Sequence, residues 1–294
     1  MQIDRRQLLA LMAATAVVSP GAAYAADDEH ALFWRASVGN NSGILFGYER
    51  IAAARVPGVV KDGDRFIDET KGVLQDLSPV VKFPPIQIDR KQVVPLSKTL
   101  SPPVLNELRD VFARIPQIGE MTNLLSGFET TTLLMGEGQT PSTPSVGGII
   151  ADHARTLTRP TTQLISDTEA QGLWNPPDIV ALNKTIDEST IKYLLDLRHQ
   201  VGPIGAHLEQ LYLDRKGEEI NRFTADIRKH GIVSPSSFLS VEKMRPLLFD
   251  SLVKNLSANA AGNAFAFLPL GLLTGADGMV AKLRAAGHTV TAVA

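Results

Sequence analysis

The side chains that could do chemistry are few and scattered. The six histidines are His30, His153, His199, His207, His230 and His288. They never recur at the i, i+3 or i, i+4 spacing that sets two ligands on one helix face. His199 and His207 come nearest, but Gly202-Pro203 and Gly205 break any helix between them. All six read as surface or singly hydrogen-bonded groups. There is no cysteine, which excludes thiol nucleophiles, thiolate metal sites and a disulfide framework. A Gly-x-Ser-x-Gly elbow, a His-Glu-x-x-His helix and a Gly-Lys-Ser/Thr phosphate loop are all missing from the sequence. Asp187-Glu188 and Glu218-Glu219 are adjacent carboxylates, and helix neighbours point about 100° apart, so they read as solvated faces rather than acid–base pairs. Trp34 and Trp174 could stack a sugar or peptide, but core packing is the ordinary use of such residues.

The elements that must position these residues begin with an export signal. Asp4-Arg5-Arg6 gives a charged start, Leu8 to Val18 an apolar run, Pro20-Gly21 a helix stop, and Ala23-Tyr24-Ala25 the small residues of a cleavage site before Ala26. The run is shorter than the roughly 20 apolar residues of a membrane span. Residues 1–25 are therefore expected to be removed, leaving residues 26–294 as one exported domain, periplasmic or secreted, with no integral membrane anchor. Arg5-Arg6 followed by Gln7-Leu8-Leu9 fits a twin-arginine signal as well as a general secretory one. Cleavage removes two positive charges and one negative, so the formal charge of −2 becomes more negative by one. That balance argues against attraction to nucleic acid or anionic lipid. Hydrophobic residues make up 44% of the chain, enough for a substantial core.

Along the mature chain, Ala31–Val38 and Gly43–Gly47 flank Gly39-Asn40-Asn41-Ser42 and predict a β-hairpin. A helix is expected from about Asp64 to Leu77, with Phe66, Ile67, Thr70, Leu74 and Leu77 on one face, and then a strand at Val80–Phe83. Ser101-Pro102 opens a helix that stops before Pro116, and Gly136–Gly148 is a loop. Further helices are expected at Pro177–Leu197, Ala206–Tyr212, Glu218–Lys229 and Val241–Leu256. The tail reads as a βαβ-type unit: Ala264–Leu268, Ala276–Ala286 closed by Gly287, and His288–Val293. The fold class is mixed α/β, with a central sheet from the N- and C-terminal strand units and a largely helical insertion.

Both ends of this pattern resemble the TraB/GumN family, to which the Tiki membrane proteases are related. Leu32-Phe33-Trp34-Arg35 and Ile44-Leu45-Phe46-Gly47-Tyr48-Glu49-Arg50 look like the family's opening tryptophan strand and first Gly-x-x-His motif. Phe265 to Gly275, followed by Asp277 to Val290, looks like the second such motif with its trailing helix and strand. Gly148–Gln171 resembles the middle segment. The resemblance implies metal-assisted hydrolysis by imidazoles and carboxylates, yet those residues are replaced. Gly47 is kept, but Arg50 stands for the first His and Lys82 for a strand-end Glu. Ile165 stands for a second Glu unless Asp167 shifts into place. Pro269 and Leu272 replace the last Gly and His, while Gly275 survives. Arg and Lys offer no lone pair to a cation at neutral pH, and Leu and Ile offer none at all. The former pocket is expected at Gly47, Tyr48, Glu49, Arg50, Lys82, Ile165, Leu272 and Gly275, with no metal, cofactor or catalytic residue. Arg50 beside Lys82 would suit an anion. The implied function is a catalytically degenerate exported protein that binds a ligand or an envelope protein. The alternative is a hydrolase rebuilt from Glu49, Arg50, Asp152, His153 and Asp167.

Overall fold

A computed structural model describes residues 30–77, 81, 83, 91–140, 144–233, 238–258 and 263–293. The signal segment and Lys82 lie outside the described residues. The chain is a mixed α/β fold built on a six-stranded sheet. Strand β1 (Phe33–Val38) and β2 (Asn41–Tyr48) form the expected hairpin, with Val38 opposite Asn41, so only Gly39-Asn40 make the turn. Gly39 takes φ +61, the left-handed value that a two-residue hairpin loop demands and glycine adopts without strain.

The remaining strands are β3 (Gly72–Gln75), β4 (Thr161–Gln163), β5 (Asn263–Pro269) and β6 (Thr289–Val293). Their order is β4-β3-β5-β2-β1-β6. Four neighbours, β4, β3, β5 and β2, run parallel, whereas β1 is antiparallel to both β2 and β6. The tail unit is therefore a wide crossover: β5 and β6 point the same way with the hairpin lodged between them. The near-continuous apolar run Ala264 to Leu268 suits a central strand covered on both faces.

The first expected helix is corrected. The segment read as one helix over 64–77 is α1 (Pro57–Glu69), ended by Thr70, and then β3. Phe66 and Ile67 are buried by the helix, whereas Val73 and Leu74 are buried by the sheet. A spacing of three and four residues across the junction imitated a single helical face. Proline at the start of α1 and Gly72 at the start of β3 are the local marks of the true boundaries. Val81 and Phe83, expected in a strand, belong to none.

Alternation along the strands sorts the core into two layers. Phe33, Phe46, Phe265 and Phe267 share one face and meet Phe66 of α1, with ring centroids 4.7 to 6.4 Å apart. On the opposite face Gly43 lies against Leu256 of the long helix at Val241–Ala258, and Gly47 against Trp34 and Leu270. Trp34 is 1% exposed and is core, as expected.

The insertion supplies α2 (Pro102–Phe112), α3 (Pro116–Gly119), α4 (Gly127–Gly136), α5 (Val146–Thr156), α6 (Asp167–Leu173), α7 (Ile179–Thr185), α8 (Glu188–Val201), α9 (Ile204–Leu213) and α10 (Gly217–Lys229). Then come α11 (Val241–Ala258), the single turn α12 (Leu270–Leu273) and α13 (Met279–Ala285). The expected helix over 177–197 is two, α7 and α8, because Asp178 and Asp187 each cap a new start. Gly148, expected in a loop, lies inside α5, whose first turn is capped by Ser145. Buried residues form two clusters, one around the sheet and one among α2, α4, α7 and α8, with Leu208 packed against both.

Candidate functional site

Parallel strands bring their carboxyl ends to one edge, and ligand crevices in such sheets lie outside that edge. Here the edge is made by Tyr48 of β2, Pro269 of β5, Gln75 of β3 and Gln163 of β4. Tyr48 lies opposite Pro269, and Gln75 opposite Phe267. Asp76 follows β3 directly, so it sits abreast of Leu268, two strands from Tyr48. Two strand spacings amount to about 10 Å, and the tyrosine ring spans them. The Tyr48 hydroxyl donates to Asp76 Oδ2 at 2.8 Å across the end of β5. The ring is flanked by the start of α5, where Gly147 lies against it. The loop before α5 is tied to the same region, since Val146 N–H donates to the Ile51 carbonyl at 2.9 Å and Ala53 N–H to the Pro144 carbonyl at 3.0 Å.

Electrostatics follow from burial. Asp76 is 5% exposed, and loss of hydration lifts its carboxyl from 3.8 to about 6 against the opposing pull of the Tyr48 hydroxyl and nearby backbone N–H groups. Tyr48 is held well above its ordinary value, by burial first and by the facing Asp76 next. Glu49, one residue beyond β2, is raised to about 7, again chiefly by desolvation. Tyr212 of α9 is buried beneath it and donates to the Gly47 carbonyl at 3.2 Å. The edge thus carries two carboxyls that titrate near neutrality and two phenols that stay protonated.

The expected pocket residues are only partly gathered here. Gly47, Tyr48 and Glu49 belong to the edge, whereas Arg50 is exposed. Ile165 is 0% exposed and contributes its backbone, donating N–H to the Asp76 carbonyl at 3.1 Å. Leu272 is 4% exposed within α12, and Gly275 takes φ +87 in the turn behind it. β3 ends at Gln75, eight residues before the end of the strand expected at 80–83, and Asp76 follows it, while Lys82 lies outside the described residues. The only local signal was a short β-branched and leucine run, Gly-Val-Leu-Gln, ending in Asp.

The alternative set does not converge. His153 Nε2 lies 2.9 Å from Asp68 Oδ1 of α1, Asp152 pairs with Arg155, and Asp167 is exposed at the start of α6. Among the described residues, no three His, Asp or Glu side chains stand close enough to hold a metal ion. Trp174 stacks on Phe83 with centroids 4.8 Å apart and meets Phe238 edge-on, so it serves as packing. The Asp187-Glu188 pair is structural too. Asp187 caps α8, while Glu188 pairs with Lys192 at 2.8 Å and accepts from Ser101 N–H at 2.6 Å, contacts that in this order of weight lower its carboxyl to about 2. No family model, curated protein or solved structure matches the chain.

Proposed function

We propose that the protein is an exported, TraB/GumN-like chain whose hydrolytic site has been lost, and that it acts by binding an envelope partner. One observation carries this reading. The carboxyl edge of the sheet is bridged by the Tyr48–Asp76 hydrogen bond, and Leu270, Leu272 and Leu273, which follow β5 directly, are all buried in the core. Where the resemblance calls for imidazoles, one position is an exposed arginine and the other a buried leucine. Among the described residues no helix is long and apolar enough to cross a membrane. The test is elemental analysis of dialysed mature protein, with peptidase assays in manganese, cobalt and zinc. No stoichiometric metal and no metal-dependent turnover are expected. Bound metal lost together with activity in Asp76→Asn or Glu49→Gln defeats the reading.

A second reading is favoured by the titration of Glu49 and Asp76 near neutrality, the range in which general acids and bases work. A rebuilt hydrolase using these carboxyls would show a bell-shaped pH–rate profile that loses one limb in Glu49→Gln. A flat or undetectable rate across that range dismisses it.

A further inference from the structure

Among the described residues five large hydrophobic side chains are exposed, and three of them belong to one small region of the helical insertion: Val94 at 56%, Met121 at 45% and Leu124 at 60%. Two single 3₁₀ turns, Leu96–Lys98 and Thr122–Leu124, make up this region. Leu96 N–H donates to the Leu125 carbonyl at 2.9 Å and Ser97 Oγ to the Asn123 carbonyl at 2.6 Å, so the turns lie side by side, with Val94 two residues ahead of the link. Leu124 N–H donates to the Met121 carbonyl at 2.8 Å, and residues three apart on such a turn eclipse, which puts Met121 and Leu124 on one side of it. Leu96, Leu100 and Leu125 are buried and anchor the turns in the helical core, so the exposed three are not needed to hold them.

Cations flank the turns. Lys98 closes the first turn and is exposed. Arg109 of α2 donates Nε and Nη2 to Asn123 Oδ1 at 3.0 and 2.7 Å, which sets its guanidinium against the second turn. Neither makes an ion pair with a described residue. Lys91, also exposed, stands three residues before Val94. Against these three, residues 91–100 and 116–125 carry one carboxylate, Glu120. Asp110, next to Arg109, lines the side of α2 that faces Arg198 and His199.

Apolar side chains that project from tight turns beside cations fit a surface with an anionic outer layer and a hydrocarbon interior. The geometry points to a peripheral docking site for an anionic lipid bilayer, in which Val94, Met121 and Leu124 enter the headgroup boundary while Lys98 and Arg109 meet the phosphates. The stems of Lys98 and Arg109 lie along the apolar layer and their charged heads stay in the polar one. Hydrocarbon has no shape to match, so side chains standing out singly suffice. A second copy fits worse, because a twofold contact sets the same cations against each other. The whole chain is net negative, so the attraction is confined to this patch and fixes which face meets the bilayer.

Co-sedimentation of the mature protein with vesicles of phosphatidylcholine, with and without phosphatidylglycerol, tests this directly. Binding should be about tenfold stronger on the phosphatidylglycerol vesicles. Met121→Ser combined with Leu124→Ser should weaken it at least about tenfold, and Lys98→Glu about tenfold on the anionic vesicles alone. Leu157→Ser, which removes an exposed leucine elsewhere, should leave it unchanged, and the thermal melt should be that of the wild type in all of these variants, since every altered side chain is exposed. No sedimentation with either vesicle, equal binding to both, or binding retained in both patch variants overturns the proposal. So does an equal loss in Leu157→Ser, and a dimer in ultracentrifugation that the double variant disperses gives the patch to a second copy instead. None of these readouts depends on the strand-end site.

Discussion

Asp76→Asn provides a measurement of what the strand-end carboxyl does to the fold. In the native state this carboxyl titrates at about 6 instead of 3.8. A carboxyl whose native value is raised carries no penalty below its unfolded value, because both states are then protonated. The penalty grows as pH rises through the interval and is complete above about 6. Each pH unit of difference is worth about 1.4 kcal/mol, so ionising Asp76 destabilises the native state by about 3 kcal/mol at neutral pH. The asparagine amide keeps an acceptor for the Tyr48 hydroxyl but has no charge to desolvate. Urea unfolding of wild type and variant at pH 3.5, 5, 6, 7 and 8 should show the variant gaining about 3 kcal/mol relative to wild type from the lowest pH to the highest. Glu49 also weakens the native state as pH rises, but it does so in both proteins and cancels in the difference. A difference that is constant with pH would refute the assignment of a buried, near-neutral carboxyl at the end of β3. Tyr48→Phe should shift the interval to higher pH, because it removes the hydrogen bond that favours the carboxylate.

Other positions give sharper structural tests. A Cβ at Gly47 would stand 2.5 Å from Leu270 Cδ1 and 3.3 Å from both Leu273 Cδ1 and Trp34 Cζ3, so Gly47→Ala should lower stability by about 1–3 kcal/mol in denaturant titration. Arg284 of α13 donates Nε and Nη2 to the Val290 carbonyl of edge strand β6 at 3.0 and 2.6 Å. Arg284→Ala uncovers a strand edge with no charge or proline of its own, and light scattering should show more self-association than in wild type. N-terminal sequencing of the exported protein should begin at or next to Ala26, and the intact Met1 end on the main soluble product would contradict the signal assignment.

The sequence alone was enough for the hairpin, the terminal strands, the fold class and most helices. Each of these is written in a local signal: Gly39 at a two-residue turn, apolar runs of strand length, Pro102 at a helix start, Gly287 at a helix end. Local signals failed between Phe66 and Leu77, where a helix and a buried parallel strand share the same apolar residues. A strand covered on both faces has no period-2 alternation to betray it. That one boundary put a strand end at Gln75 and brought the carboxyl of Asp76, which no local signal had singled out, to the edge beside Tyr48.

Which groups meet there was decided only by tertiary structure. Tyr48, Asp76, Ile165 and Tyr212 are brought together because β5, from near the end of the chain, inserts between β2 and β3 and fixes their separation. Spacing along a chain cannot encode that distance. The carboxyl values near neutrality follow for the same reason, because desolvation depends on what the rest of the fold packs over a group. The chemistry of Asp76 as an isolated residue is that of any aspartate, and its chemistry in this protein is set by the sheet that buries it.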